Sequence, residues 1–301
     1  MRQTALYEKH LAHNGKMVDF GGWELPVHYE AGIVEEHRRV RSAAGIFDVS
    51  HMGEVRVTGP KAEEWLQYMM SNDVTAMEEG QVIYTFMCYP NGGVVDDLLI
   101  YKVSKENYFL VINASNTEKD VMWLQDHVRE GASVEDLSPQ YSEVALQGPK
   151  AEAILAKIAK FDPKDLGFFR FVENVDVAGA KALVSRTGYT GEDGFEIYVP
   201  WNDGPKVWDA IMEAGKEFGI LPAGLGCRDS LRFEAGLPLY GHELGAHITP
   251  LEAGLGFFVK LDTAFIGRDC LAAMKEKGVP RKTVALEMVD KGIPLSTISR
   301  A

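Results

Sequence analysis

Val94-Val95-Asp96-Asp97-Leu98-Leu99-Ile100-Tyr101, preceded by Asn91-Gly92-Gly93, predicts a β-strand that is entered through a tight turn. Apolar and β-branched residues favour a strand, and the Asn-Gly pair favours a hairpin turn. Asp is a poor strand former and is rarely buried unless a partner compensates its charge. Two adjacent carboxylates inside this strand therefore mark a candidate functional site within an antiparallel sheet.

Side-chain alternation along the strand separates the two carboxylates. Successive residues point to opposite faces of a sheet, so Asp97 shares the face of Tyr101 and Asp96 shares the face of Ile100. A carboxylate among apolar and aromatic groups has a shifted pKa and is often functional. The alternative is a pair of solvated acids beside a turn, and alternation alone leaves both interpretations open.

A ten-residue pattern occurs twice in the chain. Residues 54–63 read Glu-Val-Arg-Val-Thr-Gly-Pro-Lys-Ala-Glu, and residues 143–152 read Glu-Val-Ala-Leu-Gln-Gly-Pro-Lys-Ala-Glu. Each copy predicts a strand, a Gly-Pro turn and an amphipathic helix, followed by further strands and another helix. The economical interpretation is an α+β fold of two related halves, each an antiparallel sheet covered by helices.

Hydrophobic periodicity and capping signals predict the remaining elements. Helices are predicted at 4–14, 30–44, 118–130, 204–218, 224–234 and 267–277, and strands at 84–88, 95–103, 108–112, 175–177, 182–185, 195–199 and 283–288. Residues 45–57 are predicted as a loop followed by a strand. Residues 19–26 are predicted as an ordered loop with aromatic side chains on glycine turns.

Composition and charge argue against several classes of protein. The chain has 301 residues and a formal net charge of -13, which disfavours a nucleic-acid binder because phosphate contacts need clustered Lys and Arg. Its three cysteines show neither a disulfide framework nor zinc spacing, which predicts a cytoplasmic protein. No apolar signal region opens the chain, and no apolar run approaches the roughly 20 residues that span a bilayer. No membrane association is expected.

Two further stretches carry candidate binding residues. Residues 185–198 place three glycines around Tyr189, and Glu196 follows where a carboxylate beside aromatics could accept two N–H donors from a planar amino-heterocycle such as a pterin. Arg228 falls near the start of the helix predicted at 224–234, where it could pair with a carboxylate or a pterin carbonyl. The alternatives are a hairpin with solvated acids and a helix with surface ion pairs.

Several familiar chemistries are missing from the sequence. The glycine-rich loop does not match the dinucleotide fingerprint or the phosphate loop, and no Gly-x-Ser-x-Gly motif is present. His51 is a candidate base, but no His or Cys lies near it at ligand spacing. No metal site is therefore predicted.

Four motifs, in this order, resemble the aminomethyltransferase or T-protein family of the glycine cleavage system. They lie at 47–53 (Phe-Asp-Val-Ser-His-Met-Gly), 91–98, 186–196 and 224–234, and the resemblance extends from about Thr4 to about Pro294. It implies a folate-binding core of two interleaved αβ subdomains over residues 1–278. It also implies that residues 279–301 begin a C-terminal β-barrel domain that is truncated here, which would weaken folate binding.

The resemblance also implies the site and the reaction. Asp97 matches the catalytic carboxylate beside the folate nitrogens, and the residues that match the folate pocket are Met52, Tyr84, Tyr101, Asn113, Tyr189, Glu196 and Arg228. The family transfers an aminomethyl group from the lipoyl arm of H-protein to tetrahydrofolate, yielding ammonia and 5,10-methylenetetrahydrofolate without a metal. The alternatives are another folate-dependent transferase such as a demethylase, and a folate-binding regulator without catalysis.

Overall fold

The fold is built from thirteen strands and eight α-helices in the described part of the chain, which in this computed structural model is residues 1–286 and 289–290. The strands are β1 (Lys16–Phe20), β2 (Trp23–His28), β3 (Gly45–Asp48), β4 (Gly53–Thr58), β5 (Val82–Cys88), β6 (Val94–Ser104), β7 (Asn107–Ile112), β8 (Ser133–Asp136), β9 (Tyr141–Gln147), β10 (Phe171–Val177), β11 (Ala180–Ser185), β12 (Gly194–Pro200) and β13 (Leu221–Pro222). The helices are α1 (Tyr7–Ala12), α2 (Gly32–Ser42), α3 (Ala62–Met69), α4 (Thr117–Asp126), α5 (Ala151–Leu155), α6 (Gly204–Gly215), α7 (Leu225–Glu234) and α8 (Arg268–Lys277).

Two sheets form the frame, and the predicted α+β class is confirmed. The five-stranded sheet has the order β5-β6-β7-β4-β8 and is antiparallel throughout. The six-stranded sheet has the order β10-β11-β12-β9-β3-β13 and is antiparallel except for the β3–β13 pair. Strand β3 comes early in the chain yet pairs with β9, so the two halves are interleaved.

The repeated ten-residue pattern folds the same way in both copies. Strand β4 leads through Gly59 into α3, and strand β9 leads through Gly148 into α5. The two glycines have φ angles of +125° and +127°, and in each copy the helix begins directly after a lysine. The structure therefore confirms the predicted strand, turn and helix at both positions.

Gly148 offers a test of the turn, because it has no room for a side chain. A Cβ there would lie 2.6 Å from the carbonyl oxygens of Val40 and Ala43, at a φ that L-residues rarely adopt. Gly148→Ala is expected to lower the free energy of unfolding by about 2–4 kcal/mol in urea denaturation. Gly245→Ala is the control, since a Cβ there meets nothing within 4 Å. Equal stability of the two variants would contradict this packing.

Apolar packing fixes how the sheets face each other. One core, containing Trp65, lies between the five-stranded sheet and helices α3 and α4, and another, containing Trp208, lies between the six-stranded sheet and α5 and α6. A third cluster joins the sheets directly, with Tyr101 and Phe109 from one and Tyr198 from the other. Each sheet thus turns one face to its helices and the other face to the opposite sheet.

Three predicted elements need correction or comment. Residues 19–26 are not a loop, because strands β1 and β2 pair across a turn formed by Gly21 and Gly22, both with positive φ. Residues 45–57 hold two strands, β3 and β4, in different sheets. Of the strand predicted at 283–288, residues 283–286 are not in a strand, and residues 287–288 lie outside the described part.

The C-terminal unit predicted at 279–301 lies mostly outside the described residues. The domain boundary between residues 278 and 279 stays a prediction. Helix α8 ends at Lys277, one residue before that boundary. No described helix is long and apolar enough to cross a membrane.

Candidate functional site

A cavity opens beside the contact between the two sheets. It contains about 1140 Å³ of space between atoms, counting its open mouth. Strands β5, β6 and β12 and helix α7 each contribute one predicted site residue to its wall. The predicted residues that line it are Met52, Tyr84, Asp97, Asn113, Tyr189, Glu196 and Arg228. Residues predicted from distant parts of the sequence therefore meet in one place.

Asp97 is held in a fixed orientation by two neighbours. Tyr84, on the adjacent strand, donates its hydroxyl proton to Oδ2 at 2.8 Å, and the amide of Asn113 donates to Oδ1 at 3.0 Å. Burial and the negative charge of Asp96 raise the pKa of Asp97 to about 7, although the Tyr84 and Asn113 hydrogen bonds oppose that shift. A carboxyl group with this pKa can take up or release a proton near neutral pH.

Asp96 has a different role from its neighbour. It is fully buried and accepts hydrogen bonds from the Asn113 backbone N–H at 3.0 Å, the Asn113 amide at 3.0 Å and the Asn116 amide at 2.6 Å. The interpretation of both acids as solvated is therefore wrong. Asp96 fixes Asn113, and Asn113 in turn fixes Asp97.

A third acid, Asp120, is electrostatically linked to Asp96 and is not recognisable from the sequence. It is fully buried on the inner side of helix α4, and its Oδ1 accepts from Lys119 Nζ at 2.6 Å. Burial and the adjacent Asp96 carboxylate raise the pKa of Asp120 to about 10. Asp120 is thus protonated at neutral pH, which relieves repulsion with Asp96. Its only sequence signal is an acidic residue within the first turns of a helix, where acids are common.

Another part of the cavity wall combines an acid, a cation and an aromatic ring. Glu196 is buried and accepts from the Thr187 hydroxyl at 2.5 Å. The Arg228 guanidinium lies 4.7 Å from the centre of the Tyr189 ring, and it makes no hydrogen bond to any residue the structure describes. The Tyr189 hydroxyl donates to the carbonyl of Pro238. The cavity wall therefore offers a hydrogen-bond acceptor in Glu196, a donor in Arg228 and a flat aromatic surface in Tyr189.

Tyr101 does not line this cavity, which corrects its predicted placement. The side chain is fully buried in the contact between the sheets, and its hydroxyl bonds to Tyr198 at 2.9 Å and to Ser185 at 3.2 Å. The reason is geometric: Tyr101 lies four residues beyond Asp97 on the same face of β6, about 13 Å along the strand. It supports the cavity from behind.

A substitution at Tyr101 tests this structural role. Tyr101→Phe removes two buried hydroxyl contacts and is expected to lower the free energy of unfolding by about 1–2 kcal/mol. Ligand affinity of the cavity is expected to stay unchanged, because the ring remains in place. Urea denaturation measures the first effect and calorimetric titration the second. A large loss of affinity in a stable variant would show that Tyr101 reaches the ligand after all.

Comparison with known proteins identifies the family to which this fold belongs. The family described as "GCVT N-terminal domain" matches residues 6–263. An aminomethyltransferase of Thermoanaerobacter sp. is 55% identical over 297 residues, which cover 98% of this chain and 80% of that relative. One from Halalkalibacterium halodurans is 54% identical over 295 residues, with the same coverage of 98% and 80%. The chain belongs to the aminomethyltransferase family.

A solved structure agrees with this family membership. The glycine cleavage system aminomethyltransferase T from Bartonella henselae superposes with a TM-score of 0.85 at 33% identity. The match covers 92% of this chain and 75% of that protein. The predicted arrangement of two sheets with covering helices is therefore that of the aminomethyltransferase family.

Two polar residues of this aminomethyltransferase cavity were not predicted as binding residues. His51 is almost fully buried, its Nδ1 has no hydrogen-bond partner among the described residues, and burial lowers its pKa to about 4. It is therefore a neutral imidazole, held edge-on against Phe20 at 5.5 Å. Glu143 also lines the cavity and has an unpartnered oxygen. Its position at the start of the repeated pattern is the one signal that could have singled it out.

Within residues 1–286 and 289–290, no group of three or more His, Cys, Asp or Glu side chains is arranged to hold an ion.

Proposed function

We propose that this chain is the tetrahydrofolate-dependent aminomethyltransferase of glycine cleavage. It would take the aminomethyl group from the lipoyl arm of H-protein, release ammonia and form 5,10-methylenetetrahydrofolate. The observation that carries the proposal is Asp97, a carboxyl group with a pKa of about 7 that Tyr84 and Asn113 orient inside the cavity. Family membership indicates the type of reaction. The Asp97 carboxyl group can exchange a proton near neutral pH, as that reaction requires.

The polar groups of the cavity fit a folate. Glu196 has one oxygen bonded to Thr187, which leaves the other for ring N–H donors, and the Arg228 guanidinium has donors to spare. The unpartnered buried Nδ1 of His51 is a further polar atom at the wall of the cavity. Buried polar atoms are normally hydrogen-bonded in proteins, so this set indicates a polar, planar ligand. We infer that Met52 and Tyr189 pack against that ligand.

Asp97 would act by position and by charge. Bound tetrahydrofolate supplies the amine nitrogen that accepts the one-carbon unit. As ammonia leaves, positive charge develops on the transferred carbon, and an oriented carboxylate stabilises that charge. The C–S bond to the lipoyl arm also breaks, so that the two protons lost by the folate nitrogens end on the departing ammonia and on the thiol of the dihydrolipoyl arm. The same carboxylate accepts the proton that the amine loses, because its pKa lies near neutrality. Tyr84 and Asn113 keep it in place, which lowers the entropic cost of alignment.

A comparison of two donors tests this function against its rival. The chain is incubated with tetrahydrofolate and either aminomethylated H-protein or a free N-methylated amine. The products measured are methylenetetrahydrofolate, which the aminomethyl donor yields, and methyltetrahydrofolate, which direct transfer from the methyl donor yields without an oxidant. We expect product with the H-protein only. Product with the free amine only would identify a demethylase instead. Folate binding without product from either donor would identify a regulator.

A further inference from the structure

Glu143 is a buried acid at the wall of the cavity with no partner for one of its oxygens. Its exposed fraction is 1%, and it lines the cavity together with Glu196 and Arg228. Its Oε2 makes no hydrogen bond to any described residue. Burying a polar atom without a partner costs free energy, so such atoms commonly mark a place that a ligand completes.

Strand pairing explains why Glu143 points toward the ligand space. Glu143 lies opposite Tyr198 across the β9–β12 pair, and Glu196 is two residues before Tyr198 on β12. Residues two apart on a strand and residues directly opposite one another share a face of the sheet. Glu143 and Glu196 therefore project from the same face, the one that contacts the opposite sheet.

The charges around Glu143 decide its protonation state. The acids that face it are Glu196 and Glu54, while Arg228 is the cation that opposes them. Burial, followed by the two negative charges, raises the pKa of Glu143 well above that of an exposed glutamate. His51 adds no positive charge, since its own pKa is lowered to about 4. Burial among acids therefore favours the neutral carboxyl group of Glu143, the form that can donate a hydrogen bond.

We propose that Glu143 is a further ligand-binding residue, whose protonated carboxyl group donates a hydrogen bond to an acceptor atom of the folate ring system, a ring nitrogen or a carbonyl oxygen. This inference rests on the proposed function. Glu196 would accept from ring N–H groups and Arg228 would donate as a cation, so Glu143 would add a neutral donor to the wall of the same cavity. A heterocycle with both donor and acceptor edges satisfies all three, and one without the acceptor leaves Glu143 unpaired.

The repeat supplies a matched control in Glu54. It occupies the same position in the first copy of the pattern, is fully buried and has no hydrogen-bond partner for either carboxylate oxygen in the described part of the chain. It does not line the cavity. A substitution at Glu54 therefore replaces a buried carboxyl group of the same kind at a position outside the cavity.

Calorimetric titration with tetrahydrofolate tests the assignment on the full chain and three variants. Glu143→Gln keeps a neutral donor, so its Kd is expected within about threefold of wild type, whereas Glu143→Leu loses the donor and is expected to bind at least about tenfold more weakly. Glu54→Gln is expected to bind like wild type. Thermal unfolding identifies the folded variants, and Glu143→Met replaces Glu143→Leu if the latter does not fold.

The outcomes separate this inference from the proposed function. Wild-type affinity in Glu143→Leu or Glu143→Met would overturn the contact. A Glu143→Gln variant as weak as Glu143→Leu would overturn the donor role, because the amide retains that donor. A loss in Glu54→Gln as large as in Glu143→Leu would also overturn the contact, because it would show a general effect of replacing a buried carboxyl group. Failure of the wild-type chain to bind tetrahydrofolate would instead refute the proposed function.

Discussion

Asp97→Asn is expected to lower kcat for ammonia release by about 10²–10³-fold, because positioned general acid–base groups contribute at this level. The Kd for tetrahydrofolate is expected to stay within about threefold, since the amide preserves the shape of the side chain and can still accept from Tyr84. Steady-state kinetics and calorimetric titration measure the two quantities. Equal losses in kcat and in binding would contradict the assignment of Asp97 to the chemical step.

Stability provides the internal control for that variant. The pKa of Asp97 is raised in the folded state, from 3.8 to about 7. Between these values the unfolded chain has released the proton while the folded chain still holds it, so this residue costs stability progressively as pH rises from about 4 to about 7. Asp97→Asn removes that cost. The variant is therefore expected to resist urea at pH 8 at least as well as wild type. A clear destabilisation would contradict the raised pKa of the Asp97 carboxyl group.

Asp96→Asn is expected to have the second large effect, on stability rather than on the chemical step. The substitution replaces one acceptor oxygen by a donor, which leaves the amides of Asn113 and Asn116 without their full set of partners. Breaking a buried charged network of this kind costs about 3–5 kcal/mol in unfolding free energy. Urea denaturation measures this loss of unfolding free energy. Asp120→Asn is the control and is expected to cost less, because the pKa of Asp120 is raised to about 10 and the substitution replaces a neutral carboxyl group.

The pH profile gives the same variant a second, independent readout. The negative charge of Asp96 raises the pKa of Asp97, so Asp96→Asn lowers that pKa and shifts the acidic limb of kcat/KM to lower pH. Tyr84→Phe should act in the opposite direction, because the Tyr84 hydrogen bond lowers the pKa of Asp97. Two substitutions that shift the limb in the same direction would contradict the proposed electrostatics.

The sequence predicted the framework because its signals are local. Turn residues, alternation and the repeated pattern led to strands β5, β6 and β7 and to the helix after each copy, all of which are present. The hairpin of β1 and β2 was missed because its aromatic residues and Gly21-Gly22 were interpreted as a loop, although φ > 0 at both glycines permits a tight turn.

For the site as well, local sequence signals predicted some residues, whereas others depend on long-range packing. Alternation separated Asp96 from Asp97, and the family resemblance then selected Asp97, whose contact with Tyr84 the structure shows. The family resemblance placed Tyr101 in the folate pocket, whereas its hydroxyl bonds to Tyr198 and Ser185 in the contact between the sheets. Asp120 and Glu143 were not predicted, because their burial depends on how the two sheets and helix α4 pack. No local pattern encodes that packing.

Ammonia release from aminomethylated H-protein by the unsubstituted chain, with and without tetrahydrofolate, tests the proposed function most directly. We predict that tetrahydrofolate accelerates release, that the rate saturates at the concentration range where calorimetry shows binding, and that methylenetetrahydrofolate forms in equal amount. Ammonia release that is unaffected by bound tetrahydrofolate would contradict the proposal that the aminomethyl group is transferred to folate in the cavity that contains Asp97.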